Sequence, residues 1–516
     1  LDDHWFVIQE IGSNMMNRLP LFVCTFFVFS VPALALELPA IFSDHMVLQR
    51  NMPVPVWGTS EPGQSITVTF GEVEAATVAG ENGVWRVDLP AMEANADPVV
   101  LSVVAGDGKD EVSKRFKNVL VGEVWHCSGQ SNMRWKVMNA AGAEAEIAAA
   151  DYPLIRHFSN PMVSKAEPQF STGGQWQVAS PETIGGFSAV GFYFGRALFE
   201  SQGVPIGLYQ TAWGGASAEA YTSRQSLESS PVTAGVVLEY DEKLAAASHD
   251  KPVKKQHIPA ALWNGMIHPV APFAHRGVIW YQGENNANRG VPLEYRTLLP
   301  MMIEDWRELW SQPGEARDFP FLIVQLASFR KHPAQPPAYD DWAELRDSQA
   351  AVAAATKNTW ATTAIDLGDA NDIHPRNKQD VGRRFARLAE RYVYGNKSVV
   401  PVGPQMYAIG YDSTEPGVAT VRWNFAEGLT TTDDQPPRGF AIRRNPESNW
   451  VWANAEIEPR KRDTVRLTHP EGFDGPFEIR YAFSVNPADG PQGINLVNAE
   501  GLPAMPFRTD PVPTLD

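Results

Sequence analysis

Cysteine is almost missing, with two residues in 516. One of them, Cys24, falls within an expected export signal, so Cys127 has no partner for an internal disulfide and a disulfide-stapled scaffold is excluded. Histidine is sparse as well: 11 residues, with no His-x-x-x-His or His-Glu-x-x-His spacing, imply neither a metal site nor a cofactor held by one. Basic residues are outnumbered, 43 Lys and Arg against 60 Asp and Glu, for a net charge of −17. With no basic run or stripe, the chain lacks the means to displace counterions from a nucleic acid or to hold an anionic membrane. Internal repeats are missing too.

Long hydrophobic runs are missing but for one. Leu19 to Val31 follows Met15-Met16-Asn17-Arg18 and precedes Ala33-Leu34-Ala35, the charged, apolar and small-residue order of a signal peptide. Cleavage after Ala35 and an exported, periplasmic or secreted mature chain are the expectations, with residues 1 to 14 lying ahead of the signal. No other run is long enough to span a bilayer as a helix.

At 44% hydrophobic and 20% charged, the composition is that of a folded globular protein, and its length exceeds what one core usually serves. Residues 36–117 carry short alternating runs, such as Ile66-Thr67-Val68-Thr69-Phe70 and Val84-Trp85-Arg86-Val87, parted by Gly, Pro, Asn and Asp. This spacing predicts an N-terminal β-sandwich. Between 118 and 400 the texture changes to short apolar strands (Val124 to Cys127, Gly277 to Tyr281, Phe321 to Gln325, Thr359 to Ile365) alternating with helical periodicity at Val190 to Glu200 and Lys378 to Tyr394. Strand-then-helix order predicts an α/β domain with a mainly parallel sheet. The polar stretch Asp241 to His257 reads as a surface insertion. From 401 to 516 short alternating strands return, as in Val418 to Trp423, and predict a second β-sandwich.

Ser131, in Gly129-Gln130-Ser131-Asn132-Met133, follows a buried strand, where open α/β sheets place reacting groups. On its own it reads as a helix N-cap. Three other strand ends change that reading: Ala212-Trp213-Gly214-Gly215-Ala216, Trp280-Tyr281-Gln282-Gly283-Glu284, and Asp372-Ile373-His374-Pro375. They supply the histidine, carboxylate and N–H donors that a serine needs for ester hydrolysis. Cys127 reads as a packed small hydrophobe.

These segments, with Phe42 to Gln49, Asn264-Gly265-Met266-Ile267, Asn377-Lys378 and Gly501-Leu502-Pro503-Ala504, resemble the sialate O-acetylesterase family, a branch of the SGNH (GDSL-like) hydrolases. The resemblance spans nearly the whole chain after residue 35. It implies a three-layer α/β/α catalytic domain flanked by two β-sandwiches and a serine esterase that removes O-acetyl groups from carbohydrates, sialic acid favoured, through an acetyl-serine. It further implies Ser131 as nucleophile, His374 as base and then acid, and Asp372 as the residue orienting it. The N–H groups of Ser131 and of Gly215 or Gly214, with the Gln282 amide, become the oxyanion hole. Gln130, Arg134, Glu284 and Asn286 become candidate substrate contacts.

Three departures stand out. Many SGNH hydrolases carry Asp three residues before the histidine, where this chain has Asn371, so Asp369 and Glu284 stay beside Asp372 as candidate acids. Arg134 stands where the family commonly has Glu, as a surface ion pair or a contact to an acidic sugar. Asn285 replaces the usual serine, in the pocket or in a turn. Competing readings are an acetylxylan or acetylxyloglucan esterase, a lipid-directed esterase, and a carbohydrate-binding protein with an inactive hydrolase domain.

Overall fold

The computed structural model describes residues 36–513 apart from 109–110, 249–251, 412–413, 416 and 471–475. The expected signal segment and Cys24 lie outside the described residues. None of the described helices is long and apolar enough to cross a membrane.

The N-terminal strands are β1 (Val47–Gln49), β2 (Val54–Thr59), β3 (Ser65–Phe70), β4 (Val73–Val78), β5 (Val84–Leu89) and β6 (Asn95–Ala105). β3 pairs antiparallel with β4 and β6, while β2 and β5 form a separate ladder. Alternate residues of β3 and β5 are buried, as the period of a half-covered sheet requires. β7 (Val112–Gly129) then joins two regions in one strand. Its first part pairs antiparallel with β6, and its last part pairs parallel with β10 (Ile206–Ala212) and β11 (Gly277–Tyr281). The position 117/118, where composition suggests a domain border, therefore lies inside a continuous strand. Residues 119–129 are buried throughout, so this strand runs through one apolar core shared by the N-terminal and central regions.

With β8 (Tyr152–Ser159), β9 (Trp176–Ala179), β12 (Phe321–Gln325) and β13 (Thr359–Thr363), the central order is β13-β12-β11-β7-β10-β8-β9. All pairs are parallel except the edge pair β8–β9. The chain builds one side of β7 first (β8, β10) and the other afterwards (β11 to β13). That reversal makes the carboxyl end of β7 the place where an open sheet forms its crevice. The expectation of a mixed α/β chain with a large, mostly parallel sheet is met.

Helix Ala189–Gln202 packs on helix Lys378–Leu388, and Tyr295–Trp310 packs on Asp341–Ala355. The helical periodicity that reaches Tyr394 in sequence is interrupted: after Leu388 the backbone continues as a π-turn, Ala389–Val393. The polar stretch beginning at Asp241 starts inside helix Pro231–Ala245, because the Asp-Glu-Lys sequence continues its exposed face. The described residues between 401 and 513 form two four-stranded antiparallel arrays and a two-stranded ladder, with a separate core that includes Trp423, Phe440, Tyr481 and Phe507. Polar bonds tie this unit to the rest: Arg508 Nη1 to Glu344 at 2.7 Å, and Arg346 Nη1 to the Ser484 carbonyl at 2.7 Å.

Candidate active site at the carboxyl end of the central sheet

The strand ends of β7, β10 and β11 lie side by side, Ala212 opposite Gly129 on one side and Tyr281 opposite it on the other. Gly129 sits at φ +139°, and a Cβ there would fall 2.1 Å from the Tyr281 carbonyl oxygen. Only glycine lets the two strand ends approach this closely. The Tyr221 hydroxyl tightens the same corner, donating to the Gly129 carbonyl at 2.8 Å and accepting from the Trp213 N–H at 2.9 Å.

Beyond Gly129 the chain turns into a short helix, Ser131–Arg134, closed by the Arg134 N–H donating to the Gln130 carbonyl at 2.9 Å. Ser131 is its first residue, so its N–H has no intrahelical acceptor. The loop after β10 comes directly against it: a Cβ on Gly214 would lie 3.5 Å from Ser131 Cβ. The N–H groups of Gly214 and Gly215 have no backbone acceptor among the described residues. A Cβ on Gly215 would instead meet Gln256 Nε2, at 3.9 Å.

His374 arrives on the loop after β13. Its neighbour Ile373 accepts a 3.1 Å hydrogen bond from Asn132 Nδ2, which links the residue after Ser131 to the residue before His374. Trp135 stacks on the imidazole, with centroids 4.9 Å apart at 16°. Asp372 Oδ1 accepts the His374 backbone N–H at 2.9 Å and lies 3.4 Å from His374 Nδ1. Of the three candidate acids, Asp372 alone touches the histidine. Asp369 closes its own turn by accepting from the Asn371 N–H, and Glu284 is engaged elsewhere. Burial lowers the His374 pKa below 6.5, with Lys378 adding to the effect and Asp372 opposing it, so the ring is a neutral proton acceptor near pH 7.

Beneath this row lies a buried polar layer. Gln130, Glu284 and Asn286, the candidate substrate contacts, are 3%, 2% and 1% exposed, which puts them under the surface. Gln130 Oε1 accepts the Gly283 and Asn285 N–H groups at 3.4 and 3.2 Å, pinning the turn after β11. Asn132 Nδ2 donates to Glu284 Oε1 at 2.6 Å, and its Oδ1 accepts from Lys378 Nζ at 2.6 Å. Burial raises the Glu284 carboxyl to about 6 and brings the Lys378 ammonium down to about 7. Gln282 is expected to aim its amide at an oxyanion. In the structure both of its Nε2 hydrogens are donated, to the Ala216 carbonyl at 3.1 Å and to Asn286 Oδ1 at 2.8 Å, while Tyr295 donates to its Oε1 at 2.7 Å. Its contact with the reacting row runs through the loop that carries Gly214 and Gly215. Asn285 acts on the same loop, donating from Nδ2 to the Gly215 carbonyl at 3.0 Å.

Arg134 is half-buried and donates to the Ala212 carbonyl at 3.2 Å, with no ion-pair partner among the described residues. The surface ion pair considered for it does not form. Cys127 is fully buried and its thiol is pushed far up by burial, in keeping with a packing role. No cluster of metal-ligating side chains occurs among the described residues. Sequence reasoning missed Trp135, Tyr221 and the burial of Lys378. The spacing of Trp135, four residues after Ser131 and so one helical turn on, is the signal that was there to be read.

A family model described as "Carbohydrate esterase, sialic acid-specific acetylesterase" matches residues 121–391. A sialate O-acetylesterase from Homo sapiens is 32% identical over 490 residues, covering 90% of this chain and 91% of its own. One from Mus musculus is 28% identical over 510 residues, covering 90% and 92%. The crystal structure of a carbohydrate acetylesterase from Xanthomonas citri superposes with a TM-score of 0.79 at 34% identity, over 92% of this chain and 99% of that one.

Proposed function

Because the chain belongs to the sialic acid-specific acetylesterase family of carbohydrate esterases, and is thereby a carboxylic ester hydrolase acting on carbohydrates, we propose that it removes O-acetyl groups through an acetyl-serine at Ser131. The observation that supports the serine route is the meeting of three groups at one sheet end: Ser131, the Gly214 backbone against it, and the His374–Asp372 pair tied to Asn132.

His374 takes the Ser131 hydroxyl proton as Oγ attacks the acetyl carbonyl. The N–H groups of Ser131 and of Gly214 or Gly215 receive the oxyanion, and Gln282 holds the latter loop by its bond to Ala216. The imidazolium then protonates the departing sugar oxygen. Water, deprotonated by the same ring, attacks the acetyl-enzyme and releases acetate. Asp372 holds the imidazole and stabilises its charged form, and Trp135 fixes its plane.

Sialic acid is the favoured sugar because Arg134, one helical turn from the nucleophile, carries a guanidinium that no carboxylate among the described residues neutralises. A sugar carboxylate is the natural partner for its planar fork. The test is acetate release from O-acetylated sialic acid, acetylxylan and acetylated xyloglucan, each measured against Ser131→Ala. Release from sialic acid should be fastest and exceed the variant by about 10⁴-fold. Equal release by the two proteins would sink the serine mechanism, and faster release from the neutral polymers would sink the sugar preference.

A further inference from the structure

A cleft of about 670 Å³ opens where the His374 loop meets the C-terminal unit. Its walls come from three separate stretches. Ala370 and Asn371 belong to the loop that carries Asp372 and His374, Lys331 to Ala334 follow β12, and Trp452 with Asp489 to Gln492 belong to the C-terminal unit. Asn371 is three residues from His374, so at most about 11 Å of extended chain separates the cleft wall from the reacting histidine.

The cleft has a rigid aromatic wall. The Trp452 indole lies nearly parallel to the His332 imidazole, 17° between planes and 5.8 Å between centroids. Both rings are anchored: Trp452 Nε1 donates to the Ala334 carbonyl at 3.3 Å, and His332 Nδ1 donates to the Asn486 carbonyl at 2.8 Å. Because Nδ1 carries the proton, Nε2 of a neutral His332 is left as an acceptor. Gly490 packs directly on that ring, since a Cβ there would fall 2.6 Å from His332 Cδ2. Around the aromatic pair stand uncharged and oppositely charged groups, Asn371 and Gln492 with Lys331 and Asp489. A flat, preformed aromatic face rimmed by donors and acceptors suits a pyranose, whose C–H face meets the ring while its hydroxyls bond to the rim.

We propose that this cleft is a glycan subsite that holds a sugar unit next to the one being deacetylated, so that the C-terminal unit gives the enzyme a preference for oligosaccharide over monosaccharide esters. The inference rests on the carbohydrate-ester reading above, and a binding measurement separates the two. Ser131→Ala protein is titrated calorimetrically with sialyllactose, xylohexaose and a xyloglucan heptasaccharide, alone and with Trp452→Ala or Gln492→Ala added. The melting temperature of each variant serves as the folding control. At least one glycan should bind, with Kd raised five- to tenfold by Trp452→Ala, two- to threefold by Gln492→Ala, and little by Trp452→Phe. In the Ser131-containing protein the loss of kcat/KM from Trp452→Ala should be several-fold larger on the acetylated form of that oligosaccharide than on 4-nitrophenyl acetate. Binding of none of the three glycans, or equal Kd in folded variants, overturns the subsite. Weakened binding in a protein that releases no acetate from any glycan overturns the esterase reading and leaves the subsite standing.

Discussion

Ser131, Gly214, Asp372 and His374 are partly open to solvent, and each is held by few bonds, whereas Gln130, Asn132, Gln282, Glu284, Asn286 and Lys378 beneath them are buried and densely bonded to one another and to loop backbone. In the proposed reaction the upper row carries the groups that attack the ester, receive its oxyanion and move its protons. The lower layer fixes the three loops on which that row stands. The difference teaches where a substitution will show itself: in turnover above, in stability and loop geometry below.

His374→Ala should make the largest difference, lowering kcat by about 10⁴-fold with little change in melting temperature. Asp372→Asn should approach it and also shift the pH profile. His374 must be neutral to act as base, so activity falls on the acid side of its pKa, which burial already sets below 6.5. Asp372 raises that pKa, so its loss should carry the acid limb to still lower pH. A limb that stays in place would detach Asp372 from the histidine.

Gln282→Ala probes the border between the regions. If the amide acts by holding the Gly214–Gly215 loop, kcat should drop about tenfold together with stability, since the Ala216 carbonyl and Asn286 lose a buried donor. A fall of about 10²- to 10³-fold with unchanged stability would instead make Gln282 an oxyanion donor.

Glu284→Gln tests the lower layer through pH. The Glu284 carboxyl titrates near 6 in the folded protein against 4.5 for a free side chain. The native state therefore binds that proton more tightly, and its contribution, about 2 kcal/mol, is present below pH 4.5 and lost as pH rises through 6. A glutamine has no such slope, so the melting temperature of the variant relative to the parent should rise between pH 4.5 and 6. Parallel curves would remove Glu284 as a titrating strain. Arg134→Met should have the smallest effect, a KM increase of a few-fold on sialic esters and none on acetylxylan.

The short strands buried along their whole length were the most legible in sequence. β11 and β12 coincide with the runs Gly277–Tyr281 and Phe321–Gln325, because strands covered on both faces read as near-continuous apolar runs. β7 was not, since its first half is half-exposed and carries Lys114, Arg115 and Lys117 while its second half is buried, and no local signal says that one strand spans both. Ser131 and His374 could be singled out from strand-end position and residue type. The commitments of Gln282 and the burial of Glu284, Asn286 and Lys378 depend on contacts between distant segments, which periodicity does not encode.

The central claim is that Ser131 forms the covalent intermediate. The most direct measurement is intact-mass analysis and peptide mapping after treatment with a serine-directed organophosphonate, followed in parallel with acetate release. One adduct per chain on Ser131, appearing at the rate activity disappears, is the predicted result. Full activity in protein whose Ser131 is modified, or inactivation with the adduct on another residue, would contradict it.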